Sequence, residues 1–118
     1  MAVEIAPLIA ALKQTIPLEL RSTPNPSEYL EGVLSRQDLK ACYDLLVQQF
    51  GAATKDFGKP PAFDRATAAL VERVGGIQKN QCFFLSSGAG GSVVYAALWP
   101  WSSDATRVTL KVGIVAVS

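Results

Sequence analysis

The chain contains no histidine. Neither a Ser-His-Asp nor a Cys-His arrangement can be assembled from its residues, and the side chain that most readily exchanges protons near neutral pH is missing. Cysteine is scarce as well, with only Cys42 and Cys82 present. Two isolated thiols without a histidine argue against a zinc site. Cys42 falls on the apolar side of a helical stretch and Cys82 opens a strand-like one, so both read as small buried thiols; a disulfide or a reactive thiol is the alternative.

Charge is also sparse, at 18% of residues against 49% hydrophobic, and the net charge is +1. The basic residues are scattered. No cluster of Lys or Arg points to nucleic acid or to an acidic membrane. No apolar run approaches the ~20 residues that span a bilayer, and the first residues lack the positive stretch of a secretory signal. The expectation is a cytoplasmic protein with neither a nucleic-acid nor a membrane partner. A chain of 118 residues is read as one domain, 1–118, large enough to bury about two-thirds of its surface without metals or disulfides. So little charge on so small a domain leaves apolar surface for a partner.

Hydrophobic spacing gives the expected elements. Ile5, Leu8, Ile9, Leu12 and Ile16 recur at helical intervals, with Pro7 in the first turn and Pro17 as the stop. Thr23-Pro24-Asn25-Pro26-Ser27 reads as a rigid linker, followed by one helical turn over 27–31 capped by Ser27. Leu39, Cys42, Tyr43, Leu46, Val47 and Phe50 form the best helical stripe. Ser35 and Asp38 suggest a weak capping box before it, Leu34 and Leu39 a hydrophobic staple, and Gly51 an end. A third helix runs from a cap near Asp64 to Val74, with Phe63, Ala66, Leu70 and Val74 on one side and Gly75-Gly76 beyond. Three strands follow, at about 81–86, 93–99 and 106–117. The last alternates Val108, Leu110, Val112, Ile114 and Ala116 against Arg107, Thr109 and Lys111. The expected fold class is α+β: about three N-terminal helices packed on one face of a C-terminal three-stranded antiparallel meander.

Motifs that suggest chemistry do not survive inspection. Ser86-Ser87-Gly88-Ala89-Gly90-Gly91-Ser92 is glycine-rich, but it lacks the Gly-Lys-Ser/Thr of a phosphate loop and the third glycine of a dinucleotide fingerprint, and a strand follows it. It reads as a hairpin loop. Asp56-Phe57-Gly58 repeats three letters of the kinase metal-binding motif without the rest of that machinery. Glu28 and Glu31 are three residues apart, while Asp38, Asp44, Asp56, Asp64, Glu72 and Asp104 are dispersed. Asp38 and Asp64 suit caps, and Asp44 stands four residues after Lys40. No catalytic residue, cofactor or metal is assigned.

Trp99-Pro100-Trp101 is the most informative chemical feature. Pro100 cannot donate to a ladder, so the second strand ends there. Two registers are open: one buries Tyr95 and Trp99, and the other packs Val94, Ala96 and Leu98 with Val108, Leu110 and Val112 beneath the helices. Tyr95, Trp99 and Trp101 then join Arg107, Thr109 and Lys111 on an open sheet face, where aromatic rings beside cations suit a protein partner or a second copy. The final strand looks long and apolar for a sheet edge, which invites pairing with another subunit. The expectation is a small non-enzymatic interaction or accessory domain that forms a homodimer through the sheet, by its open face or its edge. The alternative is a small-ligand domain with a pocket lined by Tyr43, Phe50, Phe63, Phe84 and Tyr95. A third reading is a metal-free enzyme that uses dispersed carboxylates or Cys82.

Overall fold

The alternating C-terminal run forms β5, Arg107–Ala116. Val108, Leu110 and Val112 are fully buried on one side, while Thr109 and Lys111 are half-buried on the other. The computed structural model describes residues 3–21, 28–60, 63–73, 75–87 and 92–116. Around β5 the chain lays down α1 (Ile5–Thr15), β1 (Glu19–Leu20), β2 (Tyr29–Ser35), a 3-10 turn (Arg36–Asp38), α2 (Leu39–Phe50), α3 (Arg65–Arg73), β3 (Cys82–Ser87) and β4 (Ser92–Pro100). The strands form one five-stranded sheet in the order β1-β2-β5-β4-β3, with every neighbouring pair antiparallel. The fold is mixed α+β.

Two parts of the expected architecture are corrected. The sheet has five strands rather than three, and the helices lie on both faces rather than one. The missed strand β2 occupies residues that look like a linker and a helical turn. Its period is two: Leu30, Gly32 and Leu34 face one way and Tyr29, Glu31 and Val33 the other. Gly32 interrupts the apolar run and hides the alternation. It also makes room for β1, since a Cβ there would stand 3.3 Å from the Glu19 carbonyl oxygen and 3.4 Å from a Leu20 methyl. The helix expected over 27–31 is therefore strand from Tyr29 onward, and Ser27 lies outside the described residues.

On one face α1 and α2 cover the sheet. Leu8, Ile9, Leu12 and Ile16 from α1 and its end meet Cys42 and Leu46 from α2 and Val94, Ala96, Leu98, Val108, Leu110 and Val112 from β4 and β5. Each fully buried aliphatic side chain contributes about 1.5–3 kcal/mol. Lys13 lies in the last turn of α1, where a cation suits the helix dipole. The 3-10 turn displaces the expected capping box, and neither Ser35 nor Asp38 makes a side-chain cap hydrogen bond. Gly51, at φ 85°, closes α2 in a conformation that other residues avoid.

On the opposite face α3 covers only the β3–β4 half. Asp64 accepts a hydrogen bond from the Thr67 N–H at 2.7 Å and so caps the helix. Leu70 and Val71, with Ile77 after the helix, pack onto Phe83, Tyr95 and Ala97. The buried face of α3 is thus Leu70 and Val71; Ala66 is exposed, and Val74 lies outside the described residues. The reason is legible in β4, which is apolar on both sides of its pleat. A strand of that composition needs cover on both faces.

Candidate functional site

β5 is a central strand, hydrogen-bonded to β2 along one edge and β4 along the other. The expected pairing of a second subunit with an exposed β5 edge is therefore overturned. The true edges are blunted. β1 is two residues long, and at β3 the Lys55 backbone exchanges hydrogen bonds with Phe83, at 3.0 and 2.9 Å. Lys55 is itself buried. Its Nζ donates to the carbonyl oxygens of Gln78, Lys79 and Gln81, each at 2.6 Å. Burial pulls its pKa below the usual lysine value, while three carbonyls around the ammonium favour the charged form. The lysine is a clamp that ties the loop after α2 to the turn before β3.

What remains open on the sheet is the half-face that α3 does not reach. The register places Tyr29, Glu31, Val33 and Ser35 of β2 opposite Gly113, Lys111, Thr109 and Arg107 of β5. Trp99 stands opposite Thr109, and Ala97 opposite Lys111, from the β4 side. Glu19 of β1 lies beside Val33. The side chains are cross-linked. The Trp101 indole N–H donates to Thr109 Oγ1 at 2.8 Å, and the Arg107 guanidinium lies 5.5 Å from the Trp101 ring centroid. Lys111 Nζ lies 5.0 Å from the Trp99 ring centroid. Arg107 pairs with Glu19 at 3.3 Å and Arg21 with Glu31 at 3.4 Å. The Tyr29 hydroxyl donates to Glu31 Oε1 at 2.7 Å, and burial together with that carboxylate raises the phenol's pKa.

Of the six residues expected on the surface, Trp101, Arg107, Thr109 and Lys111 come together here. Tyr95 and Trp99 point to the expected face, where Tyr95 is closed off and Trp99 is half-buried like Trp101. Tyr95 is 4% exposed beneath α3. Trp99 packs at its ring edge on Gly75, where a Cβ would stand 3.1 Å from the ring, and its buried indole N–H has no acceptor among the described residues. Sequence reasoning missed the β1–β2 side of the patch: Glu19, Arg21, Tyr29, Glu31 and Val33. The alternation of 29–34 is the signal that carries it.

The other expected sites resolve differently. Tyr43, Phe50 and Phe84 belong to the core beneath α1 and α2, whereas Phe63 and Tyr95 belong to the core beneath α3. The sheet separates the two groups, so the five rings do not line one pocket. Cys42 and Cys82 are free and fully buried, and burial pushes both thiols up to about 12. Glu31 lies on a strand, so it shares no helix face with Glu28; Lys40 and Asp44 form the expected ion pair, at 2.9 Å. Asp56 accepts from the Tyr43 hydroxyl at 3.0 Å and from the Phe57 N–H at 2.8 Å. The centre of the glycine-rich loop, 88–91, lies outside the described residues. Among the described residues no cluster of three or more Cys, Asp or Glu side chains gathers as a metal site, and no helix is long and apolar enough to cross a membrane. The chain matches no family model, no curated protein and no solved structure.

Proposed function

We propose that this chain is a non-enzymatic interaction domain that associates with a second copy of itself through the uncovered half of its sheet. The observation that carries the reading is the asymmetry of the second face. α3 seals the β3–β4 half, and the β2–β5 half is left with half-buried Tyr29 and Trp101 among Glu19, Glu31, Arg21, Arg107 and Lys111, with Val33 buried between them. Aromatic and arginine side chains supply most of the binding energy where proteins meet. Charges of both signs, interleaved on one surface, let that surface face its own two-fold copy with opposite charges opposed. The blunted edges favour face-to-face association over strand addition.

Trp101→Ala tests this. Its ring is half-buried at the rim of the patch, where its indole N–H donates to Thr109 and Arg107 lies over the ring, so the variant is expected to fold and to elute as a smaller species in size-exclusion chromatography with light scattering. Trp99→Ala, by contrast, removes a ring packed on Gly75 and is expected to lower the melting temperature. A folded Trp101→Ala protein with the mass distribution of the parent chain would dispose of the reading.

A further inference from the structure

Beside the sheet face, two open depressions of about 470 and 450 Å³ meet at the start of α2. They share a wall formed by Arg36, Leu39 and Phe57; Tyr43 bounds the first and Trp101 the second. Leu39, Tyr43, Phe57 and Trp101 are each half-buried, so the groove presents large apolar surfaces that its own chain does not finish covering. The Asp56 carboxylate and the Lys40 ammonium of its lining are committed. Both Asp56 oxygens accept internal hydrogen bonds, from the Tyr43 hydroxyl and the Phe57 N–H. Lys40 is paired with Asp44. Arg36 is fixed at its backbone, where its N–H donates to the Thr106 carbonyl at 2.7 Å, but its exposed guanidinium has no partner among the described residues.

The geometry points to a docking groove for an extended acidic peptide of a partner protein, one that places a carboxylate on Arg36 and an apolar side chain against Leu39 and Phe57. A guanidinium fork binds a carboxylate through two parallel hydrogen bonds, which fixes direction as well as charge. The joined, open shape accommodates a chain running past Phe57 better than an enclosed small molecule. Tyr, Trp and Arg around an apolar floor are the residue types that concentrate binding energy. This site adjoins the self-association face at Trp101, and it is tested at Arg36 and Leu39, which that face does not use.

The test is selection of a displayed random heptapeptide library on the full chain, followed by anisotropy titration of the enriched peptides with a fluorescent label. The expected result is enrichment of peptides with Asp or Glu next to an aliphatic or aromatic residue. Affinity falls at least tenfold in Arg36→Glu and in Leu39→Asp, Arg36→Lys keeps part of it, and the sedimentation of the unliganded chain is unchanged. Circular dichroism and melting establish that each variant is folded, and Arg36→Glu, on an exposed side chain, keeps the test open if Leu39→Asp does not fold. Four outcomes overturn the proposal: no enrichment, enriched peptides without a carboxylate, affinity indifferent to Arg36→Glu, or equal competition by benzoate, which assigns the groove to small carboxylates.

Discussion

Tyr95 lies across Gly113: a Cβ on Gly113 would stand 2.7 Å from the Tyr95 hydroxyl oxygen and 2.9 Å from two ring carbons. The register puts Tyr29 on the other side of the same glycine. Gly113 is thus the place where β5 gives up its side chain so that a ring from β4 can fill the gap, and it marks the border between the covered and uncovered halves of the sheet. Tyr95 is buried and stacked on Phe83 with centroids 6.2 Å apart, so it has little room to yield. Gly113→Ala is expected to destabilise the chain by about 1–3 kcal/mol, the usual range for overpacking. Urea denaturation measures it. In a double mutant with Tyr95→Leu the two effects should not add, because the second change removes the atoms that the first one meets.

Lys55 offers a second measurement. Replacing it with Met keeps most of the stem and removes the ammonium; the Gln78 and Lys79 carbonyls keep the Gln81 and Gly58 N–H groups as donors, and the Gln81 carbonyl loses its Lys55 donor. One unsatisfied buried acceptor costs about 1–3 kcal/mol; solvent entering the turn offsets part of the total. The expected result is a lowered denaturation midpoint together with faster amide exchange at Phe83, whose N–H donates to the Lys55 carbonyl. An unchanged midpoint would show that the clamp contributes nothing.

The thiols should be silent in the native state. With Cys42 and Cys82 fully buried and their pKa values pushed to about 12, almost no thiolate exists at pH 8. Ellman's reagent is expected to react with neither in buffer and with both in guanidinium. Rapid modification of the folded chain would contradict the placement of Cys42 beneath the sheet.

Alkaline pH should unfold the protein. Burial pushes Tyr43 and Tyr95 up to about 12, against about 10 in the unfolded chain, and raises Cys42 and Cys82 from about 9 to about 12. The unfolded chain therefore loses protons first as pH rises. The stabilisation is fully present below the unfolded pKa values and is lost progressively between about pH 9 and 12. Melting temperature should fall over that window while phenolate absorbance at 295 nm rises with unfolding rather than ahead of it. Phenolate formation at pH 10 in a fully folded chain would contradict this.

The strength of each local signal decided how much of the fold could be read in advance. The stripes of α1 and α2 and the alternation of β5 are long and regular, and each predicts its element to within a few residues. Which side of β4 packs with Val108, Leu110 and Val112 beneath the helices was not legible from the pleat, because both of its sides are apolar; the structure chooses Val94, Ala96 and Leu98. β1 is two residues long and has no pattern to read, and Gly32 breaks the pattern of β2. Without β2, β5 looks like an edge and the sheet face loses Tyr29, Glu31 and Val33. The position of α3 was implied by the two apolar sides of β4, which demand two covers. Arg36 and Phe57 meet in the groove through long-range folding, and nothing in their local sequence announces it.

Native mass spectrometry of the purified chain over a range of concentrations reads the central claim directly. The account expects a dimer that grows with concentration in the parent chain and recedes in folded Trp101→Ala, while Arg36→Glu behaves as the parent does. A parent chain that stays monomeric at its highest soluble concentration would contradict self-association through the open half of the sheet.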